Sequence, residues 1–193
     1  MSVLDPLPDG GLIRKIWIGE AHKYRDHLLR LDAESRARRF GGGISGDCIR
    51  DYVDTSMWLD TIVHGFFIDG TLRGAAELRP LGGAVTNAAE AALSVETDWQ
   101  SHGVGAALLE RTLLSARNRG ITHLHMGCLA ENRRMQQLAR KFATELSFNF
   151  GGVVGEVEAA HPTPLSVMRE MVSDGYGLAS AILEAQSRLF KVM

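Results

Sequence analysis

The sequence predicts a mixed α/β domain, an antiparallel meander that leads into a parallel strand pair, with helices flanking the sheet. Three observations carry this. Residues 61–96 read as strands joined by tight turns, and from residue 88 onward the order is strand, helix, strand, helix. No repeat, low-complexity tract or linker interrupts the 193 residues. A chain of this length can bury one substantial core.

After a Pro/Gly-rich opening, "LIRKIWIG" (12–19) alternates apolar and polar residues and reads as a first strand. Residues 20–40 then carry helical spacing through Tyr24, Leu28, Leu29 and Leu31. Beyond three glycines a helix restarts, capped near Ser45, with Ile49, Tyr52 and Val53 on one face. "TIVHGFFID" and "LRGAAELRPL" form a hairpin that turns at Asp69-Gly70. The loop "GGAVTN" leads to a third strand over 88–96.

A helix over about 103–119, ended by Gly120, a strand over 122–129 and a helix after Ala130 follow. Strands 88–96 and 122–129 are then parallel neighbours joined by a crossover. Two short strands, "LSFNF" and "VVGEVEA", flank Gly151-Gly152. From Thr163 the chain reads as helical, with Leu178, Ile182, Leu183, Leu189 and Phe190 in an apolar stripe. This divides the chain into a main domain, 1–162, and a helical extension, 163–193, packed on that domain or at a homodimer interface.

Hydrophobic content of 45% and charged content of 23% are ordinary for a globular protein, and a net charge of −2 speaks against a nucleic-acid surface. Cys48 and Cys128 make neither a disulfide framework nor a zinc spacing, and Cys128 reads as a core residue. His123 and His125 alternate along a strand without a companion at ligand spacing, so no metal is expected. Trp58, Phe66 and Phe67 read as core. The N-terminus lacks a signal-peptide pattern and no window is apolar enough to span a bilayer, so a cytoplasmic protein without a membrane partner is expected.

The chemistry is concentrated in "DWQSHGVGAALLE" (98–110), a glycine turn between a strand and a helix. Leu108 stands where a dinucleotide fingerprint needs its third glycine, and no Gly-Lys-Ser/Thr follows for a P-loop. What remains is Gln-x-x-Gly-x-Gly at a helix N-terminus. Its free amides and dipole could cradle a pyrophosphate, with His102 as an added donor. The glycines alone leave a plain tight turn equally open.

The surrounding residues resemble the core of the GCN5-related N-acetyltransferase (GNAT) superfamily: Gln100, Gly103 and Gly105, then Asn132, Met135, Leu138 and Lys141. "LDAESRARRF" and "ENRRMQQLARK" are similar to the acetyltransferase domains of bacterial protein lysine acetyltransferases. The resemblance implies a sheet whose parallel strands splay, with acetyl-CoA as co-substrate in the gap. It places pantetheine along Leu93, Ser94 and Val95, phosphates on the amides of Ser101, His102, Gly103, Val104, Gly105 and Ala106, and Asn132 beside the pantetheine arm.

Transfer of acetyl to an amine needs a base, because an ammonium of pKa about 10 is protonated at neutral pH. Glu90 is the leading candidate, since Ala88, Ala92 and Ser94 on its strand face leave room and the similar lysine acetyltransferases use a glutamate at this place. Glu77 is the reserve, sharing a face with Ala75 and Arg79, where an ordinary ion pair explains it as well. Ala139 stands where many members have a thiolate-protonating tyrosine, and Ala143 replaces a usual glycine, which leaves the general acid unassigned. The acceptor is expected to be an amine, of a protein or a small molecule. A non-catalytic acyl-CoA-binding module of the same fold is the alternative.

Overall fold

The computed structural model describes residues 7–8, 10–57, 61–82, 87–127, 132–142, 154–158 and 161–191. Six strands form one sheet in the order of the chain: β1 (Leu12–Ile16), β2 (Ile62–Ile68), β3 (Thr71–Pro80), β4 (Ala88–Val95), β5 (His123–Gly127) and β6 (Val154–Glu158). Every pair is antiparallel except β4 with β5. The β2–β3 hairpin turns where the sequence places it, with Asp69 at φ 47° and Gly70 at φ 70°, the two positive angles a two-residue turn requires.

The parallel pair determines what the sheet can hold. Its register runs only from Ala88 to Glu90 against His123 to His125, whereas β3 stays paired with β4 from Ala89 to Val95. Beyond Glu90 the two parallel strands part, and β4 shows an edge in mid-sheet.

Helices cover both faces. On one lie α1 (Ala21–Arg30), α2 (Ala33–Phe40) and α3 (Gly46–Ser56); on the other lies α4 (Val104–Asn118), followed in the chain by α5 (Arg133–Lys141). Tyr24, Leu28, Ile49 and Val53 pack against Val63, Phe67 and Leu72 on the first side. Ala106, Leu109 and Leu113 of α4 pack against Ala89, Ala91, Leu124 and Met126 on the second. Phe66 belongs to a third cluster, with Ala76, Val104 and Leu108.

The helical run expected over 20–40 is two helices. Leu31 leaves helical geometry, and Asp32 caps α2 by accepting from the Ser35 amide at 2.8 Å. A cap of this kind stabilises by about 1 kcal/mol, enough to restart a helix that periodicity alone would run through. The first strand ends at Ile16, and Ile18–Glu20 form a 3-10 turn, because Glu20 turns back to the Arg14 guanidinium at 2.6 and 2.7 Å. Trp58, Cys128, Ala143 and the expected strand "LSFNF" lie outside the described residues.

A final helix, α6 (Pro164–Lys191), lies against β1 and α4. Its buried side is polar: Glu170 accepts from Ser115, Asn118 and Arg119 at 2.6–2.7 Å. Glu184 bonds Lys23 at 2.8 Å, and Gly177 lets the helix approach Arg14, where an added Cβ would sit 2.9 Å from the Arg14 Cβ. Of the predicted stripe, Leu178, Ile182 and Leu183 face solvent.

Leu109 joins α4 to the sheet and is fully buried. Leu109→Ala should lower unfolding free energy by about 2–5 kcal/mol, read as a shift of the urea midpoint with an unchanged slope.

Candidate functional site

At the end of β4 a 3-10 turn, Thr97–Trp99, leads into the glycine turn. Ser101 has φ 63° and Gly103 has φ 76°. Gly103 is the residue just before α4, and at that angle a side chain is strained, which accounts for the glycine. The first amides of a 15-residue helix therefore open onto the end of the β4 edge.

The Gln100 side chain holds this junction together. Its Nε2 donates to the Val95 carbonyl at 2.8 Å and to Ser35 at 3.3 Å, and its Oε1 accepts from Arg134. Thr97 donates to Asp32 at 2.5 Å, tying the turn to the cap of α2. That bond and those from Ser35 hold the Asp32 carboxyl at about 2. Asn132 caps α5, its Oδ1 accepting from the Met135 amide at 3.1 Å.

These pieces enclose a groove of about 370 Å³. Leu93, Ser94 and Val95 form one wall; Gln100, Ser101, Gly103, Gly105 and Ala106 form its end. Asn132, Met135, Leu138 and Lys141 come from α5 and the residue before it. A second cavity of about 450 Å³ adjoins it through Ser35, Arg38, Gln100, Asn132 and Arg134. Of the predicted cofactor residues, His102 and Val104 are not in the lining. His102 is exposed, and the Val104 side chain is buried in the core, leaving its amide as the group it could offer.

Sequence reasoning missed the contribution of α2, whose Ser35, Arg38 and Arg39 wall the groove. The signal was present as an arginine cluster on a helix, which a solvated face explains equally well. Arg39 also reaches beyond the groove. It donates to Glu77 at 2.6 Å, and Tyr24 and Tyr52 donate to the same carboxylate oxygen at 2.8 and 2.5 Å. Glu77 is 2% exposed, and its Oε1 is buried without a partner. Burial raises both phenols, Tyr52 to about 12, so they remain donors.

The ion pair considered for Glu77 was with Arg79; the structure pairs Arg79 with Glu90 instead. Arg79 and Glu90 sit directly opposite across the β3–β4 ladder, closer than two residues spaced along one strand. The Glu90 side chain is 36% exposed, and His125 is its neighbour on β5.

Beside the groove, Ser94, His27 and Glu96 form a chain. The Glu96 carboxylate can only accept, so His27 donates through Nδ1 at 3.2 Å, and Nε2 accepts from the Ser94 hydroxyl at 2.9 Å. This is the bond order of a nucleophilic relay. Burial, however, lowers the His27 pKa and disfavours the imidazolium, and Arg30 and Arg73 already neutralise Glu96. The chain acts as a strut between α1 and β4. Burial acts to raise the Glu96 pKa, but His27, Arg73 and Arg30 outweigh it and bring it to about 2. Among the described residues no group of three or more His, Cys, Asp or Glu gathers as a metal site, and no helix is long and apolar enough to cross a membrane.

A sheet opened between two parallel strands has a glycine turn and a helix N-terminus at the opening, an arrangement suited to an anionic group. The family model "Acetyltransferase (GNAT) family" matches residues 33–143, and the chain belongs to that family. Solved structures share its fold. The GNAT domain of S. lividans PAT has a TM-score of 0.62 and 22% identity, covering 76% of this chain and 88% of that one. The Salmonella typhimurium yncA structure, with its cofactor acetyl-CoA, has a TM-score of 0.57 and 17% identity, covering 81% and 98%. A mutant of the cAMP-binding acyltransferase from Mycobacterium smegmatis has a TM-score of 0.58 and 17% identity; 93% of this chain is covered, which spans 55% of that protein. No match is found among curated proteins.

The strut sets an acid limit on stability. His27 and Glu96 both have folded pKa values below their ordinary 6.5 and 4.5, so the unfolded chain takes up their protons first as pH falls. The urea midpoint should decline from pH 6.5 downward and more steeply between 4.5 and about 2. Glu96→Gln should start lower at neutral pH and lose less below 4.5; an acid limb parallel to that of the parent would remove Glu96 from the network.

Proposed function

We propose that the protein is an acetyl-CoA-dependent N-acetyltransferase whose acceptor is a primary amine, on a protein lysine or a small metabolite. One observation carries this. The β4 edge left unpaired by β5 and the glycine turn that follows the Thr97–Trp99 turn line one groove, and arginines from α2 and α5 line it too. In this reading the pantetheine amides pair with the β4 main chain near Leu93 to Val95, on the side away from β3 and short of the Val95 carbonyl that Gln100 occupies. The turn from Ser101 to Ala106 receives the pyrophosphate, Arg38 and Arg134 face the remaining phosphate charge, and Asn132 lies beside the pantetheine arm.

The reaction needs no enzyme-bound intermediate. The amine nitrogen attacks the thioester carbonyl, the carbon–sulfur bond breaks, and the coenzyme leaves as thiolate while the amine proton passes to a base. Glu90 suits that role. It is partly exposed, it shares the strand face that leads through Ala92 to Ser94 at the groove, and Arg79 orients its carboxylate. Glu77 suits it less, because three donors already occupy one oxygen and burial keeps a bulky acceptor away.

The experiment is a free-thiol assay with acetyl-CoA and a broad amine panel, run beside thermal unfolding. Thiol release with at least one amine is the expected result. Stabilisation by acetyl-CoA with no release from any amine would support the rival reading, an acyl-CoA-binding module without turnover. No stabilisation would remove both.

Glu90→Gln should keep the acetyl-CoA stabilisation and lose about 10²-fold or more in turnover at neutral pH. Unchanged turnover would move the base to Glu77 or to water. Gly103→Val should act in the opposite way. A β-branched residue does not accept φ 76°, so acetyl-CoA affinity should fall before any effect on chemistry is seen.

A further inference from the structure

We infer that α6 is a dimerisation element, pairing through its solvent face with α6 of a second copy of this chain. The inference does not rest on acetyl transfer. It rests on a helix that is seated the wrong way round for a lone domain. Ordinarily the apolar stripe of a surface helix faces the core and its polar face meets water. In α6 the reverse holds.

The face toward the domain carries Ser166, Glu170, Asp174 and Glu184. These meet Asn118, Ser115, Arg119, Arg111 and Lys23 in hydrogen bonds or ion pairs. The face toward solvent carries Met171 and Val172, each 68% exposed, Tyr176 at 67% and Leu183 at 65%, with Leu165 and Ile182 also exposed. Between Pro164 and Gln186, Arg169 is the one charged residue that is exposed. Met168, Val172, Gly175, Ala179 and Ile182 follow one another at steps of three and four, so they form a single line along the helix.

Size and charge identify the occupant. Nine large apolar side chains of α6 are exposed along one helix, a contiguous patch where a monomer commonly shows only scattered ones. A charged partner would find almost nothing to pair with. A helix lying in a lipid surface turns a basic face to the headgroups. The polar face of α6 is acidic and already engaged by its own domain. A second copy presents the same uncharged line, and a two-fold axis makes that line self-complementary. With the axis near Gly175, Met168 of one copy faces Ile182 of the other. The backbones come closest at Gly175, where an added Cβ meets nothing within 4 Å in the single chain.

The test uses the full chain in size-exclusion chromatography with light scattering at micromolar concentration. Twice the 21.1 kDa chain mass is expected. Ile182→Glu should return the mass to one chain while keeping the thermal unfolding profile cooperative. Gly175→Cys should give a covalent dimer under mild oxidation that the parent chain does not give. A monomeric parent chain, a dimer unaffected by Ile182→Glu, or co-sedimentation of the parent with vesicles of mixed neutral and anionic lipid in place of self-association would each overturn the inference.

Discussion

The constraint on which the rest of the structure depends is the unmade half of a β-ladder. From Ala91 to Val95 the main chain of β4 is paired with β3 on one side, and its register with β5 has already ended at Glu90. Backbone donors and acceptors removed from water need partners, so an edge in mid-sheet is tolerable only where water or a ligand can reach it. The groove supplies that access. The turn that follows satisfies part of the same need from within, because Gln100 caps the Val95 carbonyl where the ladder stops.

Around that opening the fold separates two kinds of polar chemistry. The groove side is open and basic, with arginines from α2 and α5 lining it. Directly beside it lies a set of buried polar groups closed off from water. Glu77 is buried under two phenols and a guanidinium, and His27 is locked between Ser94 and Glu96. Arg39 belongs to both regions, since it walls the groove and neutralises Glu77. A buried carboxylate of this kind is costly to leave unpaired, so the position of α2 is tied to the groove as much as to the core.

The legible parts of the sequence were those governed by local geometry. Gln100, Gly103 and Gly105 could be placed at a helix start because backbone angles and capping act within a few residues, and Asp69-Gly70 marked its hairpin for the same reason. The break at Asp32 was written in the same code, an acidic cap three residues before Ser35, but helical spacing across Leu28, Leu29 and Leu31 hid it. The Arg39–Glu77 pair spans 38 positions, and nothing near either residue announces the other. Periodicity showed that Leu178, Ile182 and Leu183 share a face of α6. It could not show which face meets the domain, because that is decided by Arg14, Lys23 and Arg119, which lie far away in sequence.

The open stretch of β4 has one further consequence, for the behaviour of the chain in a crowded solution. An unpaired strand edge is a template on which a strand of another molecule can add, and proteins commonly guard such edges with positive charge. Here Arg38, Arg134 and Lys141 already line the gap. These cations act as gatekeepers against aggregation, so exchanging them for neutral residues would expose a sticky seam.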